Sequence, residues 1–138
     1  MIGVVIVTHC RLAEELICAA QLVVGEELRQ FQAVSVESKD DSDAVREKIL
    51  TAIRKVDSGQ GILILTDMYG GTPSNISLSF LEEKKIEVIT GVNLPMLLKL
   101  GTSRNEQNLE ELASLITEYG QRNIHLASEV LKKRADRK

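Results

Sequence analysis

Apolar positions along the chain fall into two alternating rhythms. Ile2 to Val7 is a nearly continuous β-branched run, the pattern of a strand covered on both faces. From Arg11 to Val24 the spacing changes, with Leu12, Leu16, Ala19, Ala20 and Val23 recurring at helical intervals before Gly25, where a helix would stop. Phe31 to Val36 predicts a second strand. Ser42 can cap a helix with a buried stripe of Val45, Ile49, Ile53 and Val56. Gly61 opens a third strand, Ile62-Leu63-Ile64-Leu65, which runs into Thr66-Asp67. Thr72 is placed to cap a helix reaching about Leu81, with Pro73 suited to its first turn. Ile86 to Thr90 is a fourth strand, and Pro95 starts a short helix through Leu100. Leu109, Leu112, Leu115, Ile116 and Tyr119 mark a last long helix. Arg122 to Ala127 reads as a small antiparallel edge strand, followed by a fraying basic tail over 131–138.

Buried strands separated by helices require crossovers, which are right-handed and give a mainly parallel sheet covered on both faces. The expected fold is a doubly wound three-layer α/β/α domain with strand order 2-1-3-4. Residues 1–130 form that domain; no linker, repeat or low-complexity tract divides them.

Composition narrows the function. Seventeen basic and 20 acidic side chains leave a net charge of −3, which argues against a nucleic-acid or membrane surface as main partner. Aromatics are 3% of residues, too few for a groove that stacks bases or sugar rings. Cys10 and Cys18 are too few for a disulfide framework and lack a metal-binding spacing. No signal peptide is expected, and no apolar run reaches the roughly 18 residues of a membrane span. The expectation is a cytoplasmic protein needing no metal and no cofactor.

In a parallel sheet of this order, ligands bind beyond the carboxyl ends of the strands where strand order reverses, between strands one and three. Strand one ends in Thr8-His9-Cys10 and strand three in Thr66-Asp67, so the topology sets an imidazole beside a carboxylate. Asp67 would fix the ring tautomer and leave the other nitrogen's lone pair facing out. Gly70 and Gly71 let main chain approach an anion, and the Thr72 hydroxyl can donate to it. Together these residues describe a phosphohistidine site. The blander readings are a rim histidine, a turn aspartate and a helix cap. Gly70-Gly71-Thr72-Pro73 has no P-loop lysine, which disfavours nucleotide binding. Cys10 and Cys18 are expected in the core.

Ile-Val-Thr-His at 6–9, Asp-Met-Tyr-Gly-Gly-Thr-Pro-Ser-Asn at 67–75 and Gly-Val-Asn-Leu-Pro-Met at 91–96 resemble the IIA component of mannose-type sugar phosphotransferase-system (PTS) transporters. The resemblance covers essentially the whole chain. It implies a phosphocarrier in which His9 accepts a phosphoryl group from HPr, Asp67 orients it, and a separate IIB protein receives it. Thr72 would be a phosphoryl hydrogen-bond donor, and Tyr69, Asn93 and Pro95 are expected to wall the site or dock a partner. The membrane would be met only through the IIC and IID components. The resemblance also implies a homodimer exchanging the edge strand at 122–127. Cys10 departs from the glycine common after the histidine, and Tyr69 from the tryptophan of the mannose enzymes. Alternative functions are a regulatory module reporting PTS phosphorylation, the phosphoryl donor subunit of a dihydroxyacetone kinase, and a thiol enzyme using Cys10.

Overall fold

The computed structural model describes residues 1–82 and 85–136, with only the backbone at Glu106. Four strands, β1 (Gly3–His9), β2 (Phe31–Val36), β3 (Ile62–Thr66) and β4 (Ile86–Thr90), form one parallel sheet of order β2-β1-β3-β4. Helices α1 (Leu12–Val24), α2 (Ser42–Val56), α3 (Thr72–Leu78), α4 (Leu94–Ser103) and α5 (Leu109–Arg122) follow, with a 3₁₀ turn at Arg104–Glu106 and a terminal α6 (Ala127–Asp136). The strand order is the expected one.

The sheet divides the core in two because side chains alternate across a strand. Val4 and Ile6 of β1 join Leu63, Leu65, Leu97, Leu100, Leu112 and Ile116 under α1, α4 and α5. Val5 and Val7 face the other way, into Val45, Ile49, Ile53 and Val56 of α2. The predicted stripe of α2 is buried throughout. With β1 and β3 hidden on both faces, a register slip would bring no polar face to solvent and instead mispair every core contact. The side-by-side placement of their ends is therefore tightly specified: Val7 pairs with Thr66.

Several boundaries differ from the sequence expectation. Asp41, not Ser42, caps α2, accepting from the Ala44 N–H at 2.8 Å. Gly71 takes the cap position of α3 and Thr72 lies inside its first turn; the helix ends at Leu78, with residues 79–81 closed by tighter i→i+3 bonds. Cys10 and Cys18 are both exposed, not core residues.

The largest correction is at the C-terminus. Residues 122–127 form no edge strand: Arg122 ends α5, Asn123 closes it by bonding the Tyr119 carbonyl, and Ala127 already begins α6. The run Ala127-Ser128-Glu129-Val130-Leu131-Lys132-Lys133 is rich in helix formers, and the Leu126 carbonyl accepts from Glu129 and Val130. The tail is therefore helical to Asp136, and its last two residues lie outside the described ones. α6 buries none of its side chains. No helix among the described residues is long and apolar enough to cross a membrane.

Candidate functional site

β1 and β3 run side by side in the same direction, and His9 and Asp67 stand at their carboxyl ends. Asp67 Oδ2 accepts twice from one residue: from the His9 backbone N–H at 3.0 Å and from ring Nδ1 at 2.8 Å. A carboxylate oxygen only accepts, so Nδ1 carries a proton, and in the neutral ring Nε2 is the nitrogen with the lone pair. The side chain of His9 is 48% exposed and that of Asp67 only 13%. The carboxylate is thus sheltered under a ring whose free nitrogen meets solvent. Asp67 Oδ1 is buried with no partner among the described residues.

Three loops shape the surroundings. After Asp67 the chain turns through Gly70 and Gly71, both at φ near +87. A side chain at Gly71 would put its Cβ 3.3 Å from His9 Cε1 and 3.4 Å from Nε2. The missing Cβ therefore leaves room beside the free nitrogen. Thr72 is exposed next to it. The loop after β4 is pinned to this rim by the Gly91 and Val92 N–H groups, which donate to the Thr66 carbonyl at 3.0 and 2.9 Å.

Asn93 in that loop uses its whole side chain structurally. Its Oδ1 accepts from Met96 N–H at 3.2 Å, capping α4, and its Nδ2 donates to the Gly120 carbonyl at 3.0 Å, tying α4 to α5. Pro95 is half-buried in the first turn of α4. Tyr69 is 77% exposed and Met68 53%, an apolar pair on the loop that begins at Asp67.

After β1, Cys10 turns the chain with φ +50, in the left-handed region that glycine adopts freely. This is the physical reason a glycine suits the position; the thiol is not packed into the core. Sequence reasoning also missed Thr8, whose buried hydroxyl accepts from the Ala13 N–H at 2.8 Å and closes the first turn of α1. A hydroxyl a few residues ahead of an apolar helical run was the available signal. Among the described residues no three of His, Cys, Asp and Glu come together as a metal site.

The parallel α/β domain thus holds one imidazole on a sheltered carboxylate at an open rim, with a glycine turn beside the other ring nitrogen. Comparison with known proteins places it more narrowly. Residues 3–117 match the family described as "PTS system fructose IIA component", and the chain belongs to that family. It is 31% identical over 125 residues to the PTS system mannose-specific EIIAB component of Escherichia coli, covering 89% of this chain and 38% of that protein. The chain thus spans about two fifths of that relative's length. It is 30% identical over 134 residues to the PTS system fructose-specific EIIA component of Bacillus subtilis, covering 96% of this chain and 91% of that one. The mannose/sorbose specific IIA subunit of the phosphotransferase system from Enterococcus faecalis superposes with a TM-score of 0.81 at 27% identity, over 91% of this chain and 93% of that chain.

Proposed function

We propose that this chain is a cytoplasmic phosphocarrier of the sugar phosphotransferase system, taking a phosphoryl group from the phosphohistidine of HPr onto His9 and passing it to a histidine of a separate IIB protein. The observation that carries this reading is the 2.8 Å contact between His9 Nδ1 and Asp67, which in the neutral ring puts the lone pair on Nε2, beside Gly71. In the transfer, the Nε2 lone pair forms the new N–P bond while the donor's N–P bond breaks and the donor nitrogen keeps that electron pair. The ring of His9 becomes cationic, and the Asp67 carboxylate stabilises it. The same steps run in reverse toward IIB. Phosphoryl transfer of this kind needs placement and charge stabilisation more than further covalent chemistry. Gly71 supplies the clearance, Gly70 the left-handed turn that leads into it, and Thr72 a hydroxyl donor.

Tyr69, with Met68, supplies an exposed apolar surface suited to docking a partner around the histidine. Pro95 walls the same rim. Asn93, its side chain already engaged at both ends, braces that wall. The phosphocarrier domain is residues 1–130, with 131–138 a basic tail. The chain is a homodimer whose two copies meet along the free edge of β4. Two features support this: an open groove of about 400 Å³ beside Glu87, Val88 and Ile89 under α5, and the exposed Ile124 and Leu126. IIC and IID are the route by which the system meets the membrane.

Incubation with enzyme I, HPr and phosphoenolpyruvate tests the reading. Acid-labile, base-stable label is expected on this chain, absent from His9→Ala and transferable to purified IIB. Label that survives His9→Ala refutes the mechanism, and label that never leaves for IIB makes the chain a reporter of phosphorylation.

A further inference from the structure

β1 leaves the sheet at His9, and the left-handed turn at Cys10 brings Arg11 to the N-cap of α1. Arginine is out of place there. N-caps favour Ser, Thr, Asp and Asn, whose side chains accept from the helix's free N–H groups. A guanidinium has no acceptor, and its charge meets the positive end of the helix dipole. Arg11 makes no cap bond; the Thr8 hydroxyl takes the Ala13 N–H in its stead.

Within the described residues, the ion-pair partner of Arg11 is Glu14. Arg11 Nε and one terminal nitrogen lie 3.1 and 3.0 Å from Glu14 Oε2, while Glu14 Oε1 accepts from the Ser35 hydroxyl at 3.3 Å. The pair is open to water, Arg11 74% and Glu14 45% exposed, so it holds the guanidinium weakly. Of the segments leaving the four strand ends, 10–11, 37–41, 67–71 and 91–93, only two contain a basic residue, Arg11 and Lys39. Lys39 lies beyond β2 and pairs with Glu37 at 3.3 Å. Arg11 is two residues from the nucleophile, its Cα at most about 7 Å from that of His9.

We infer that Arg11 is the counter-cation of phosphorylated His9, an assignment that rests on the phosphohistidine reading above. When the phosphoryl group arrives on Nε2, the guanidinium leaves Glu14 and forks onto two phosphoryl oxygens, a geometry that arginine matches and lysine does not. Glu14 stays behind on Ser35. Arg11 gains and loses no proton and forms no covalent bond; it lowers the free energy of the charged product. A residue that is unfavourable for the helix is explained by a charge that is present only in the phosphorylated state.

The test is the equilibrium constant for phosphoryl exchange between phospho-HPr and this chain, measured alongside thermal melting. Arg11→Gln is expected to lower the constant roughly threefold to tenfold with no loss of thermal stability. Arg11→Lys restores it only in part. Glu14→Gln, which keeps an acceptor for Ser35 but frees Arg11, is expected to raise it, and that gain disappears when Arg11→Gln is also present. An unchanged constant in Arg11→Gln, or a gain from Glu14→Gln that persists in the double variant, overturns the assignment while leaving the phosphohistidine reading intact. Absence of label from the unsubstituted chain overturns both.

Discussion

Gly71→Ala is the substitution whose cost divides into two measurable parts. Gly71 sits at φ 87 and ψ 171, a region of backbone space that is essentially reserved for glycine. Forcing an alanine there costs about 1–3 kcal/mol, less the few tenths regained from a stiffer unfolded chain. The new methyl would also lie 3.3 Å from His9 Cε1 and 3.4 Å from Nε2. That is tight contact with a bare ring, and it occupies the volume a phosphorus on Nε2 and its oxygens require. Phosphoryl transfer should therefore fall at least about tenfold, a barrier increase of about 1.4 kcal/mol.

Gly70→Ala is the control that separates these parts. Gly70 has φ 86, but nothing lies within 4 Å of where its Cβ would stand. It carries a backbone cost of about 1–2 kcal/mol with no obstruction of the ring. Urea unfolding of both variants should show comparable losses. Phosphotransfer from phospho-HPr, compared at equal folded fraction, should be slowed only in Gly71→Ala. Equal rates for the two variants would mean that Nε2 is not the reacting nitrogen, or that the group is approached from another side.

Three further outcomes follow from local geometry. Cys10→Gly relieves a left-handed residue at φ 50 and should raise the urea midpoint by the equivalent of about 0.5–1 kcal/mol; a loss of stability would show that the thiol makes a compensating contact. Asp40 accepts from Lys48 Nζ at 2.8 Å and from the Glu37 N–H at 2.9 Å, which hold its carboxyl below the ordinary 3.8. Its contribution is therefore full above that ordinary value and lost as pH falls through the lower, folded one. Asp40→Asn should flatten the fall in stability measured by urea titration from about pH 5 to about pH 2. Arg104, 5% exposed, donates to the Arg29 and Gln30 carbonyls and stacks 4.8 Å from the Phe31 ring centroid; burial pulls its pKa down to about 10. Arg104→Ala should destabilise by about 2–4 kcal/mol, read by chemical denaturation, through lost packing and an unpaired Arg29 carbonyl, the Gln30 carbonyl keeping the Val4 N–H.

What could be read from the sequence is what depends on long-period burial. The runs Ile2 to Val7 and Ile62 to Leu65 admit only doubly covered strands, and helices between them force the parallel order that sets His9 beside Asp67. That one inference crosses 58 residues of sequence without any local signal. Features resting on a single residue's backbone angle were not legible. Nothing in the letters distinguishes Asp41 from Ser42 as a cap, or says that Cys10 turns left-handed and so stays at the surface. The segment 122–127 misled for a different reason. Ile124 and Leu126 alternate as in a strand, but a strand needs a neighbouring edge, and within one chain the helix formers from Ala127 onward prevail.

The same contrast explains why the His9–Asp67 pair is durable and its surroundings adjustable. One carboxylate oxygen accepts both the backbone N–H and the ring N–H of His9. The ring is therefore referenced to the end of β1, and β1 is fixed by a core in which Val4, Val5, Ile6 and Val7 are all inaccessible to solvent. Rotating the imidazole means abandoning one of two bonds to the same atom, so the free nitrogen is held in direction before any phosphoryl group arrives. Beyond that pair, the exposed Tyr69, Thr72 and Arg11 sit on turns and helix starts, where exchanging a side chain disturbs no core contact. On the proposed reading, a fold of this kind keeps one nucleophile constant while the residues that would meet donor and acceptor proteins are free to change around it.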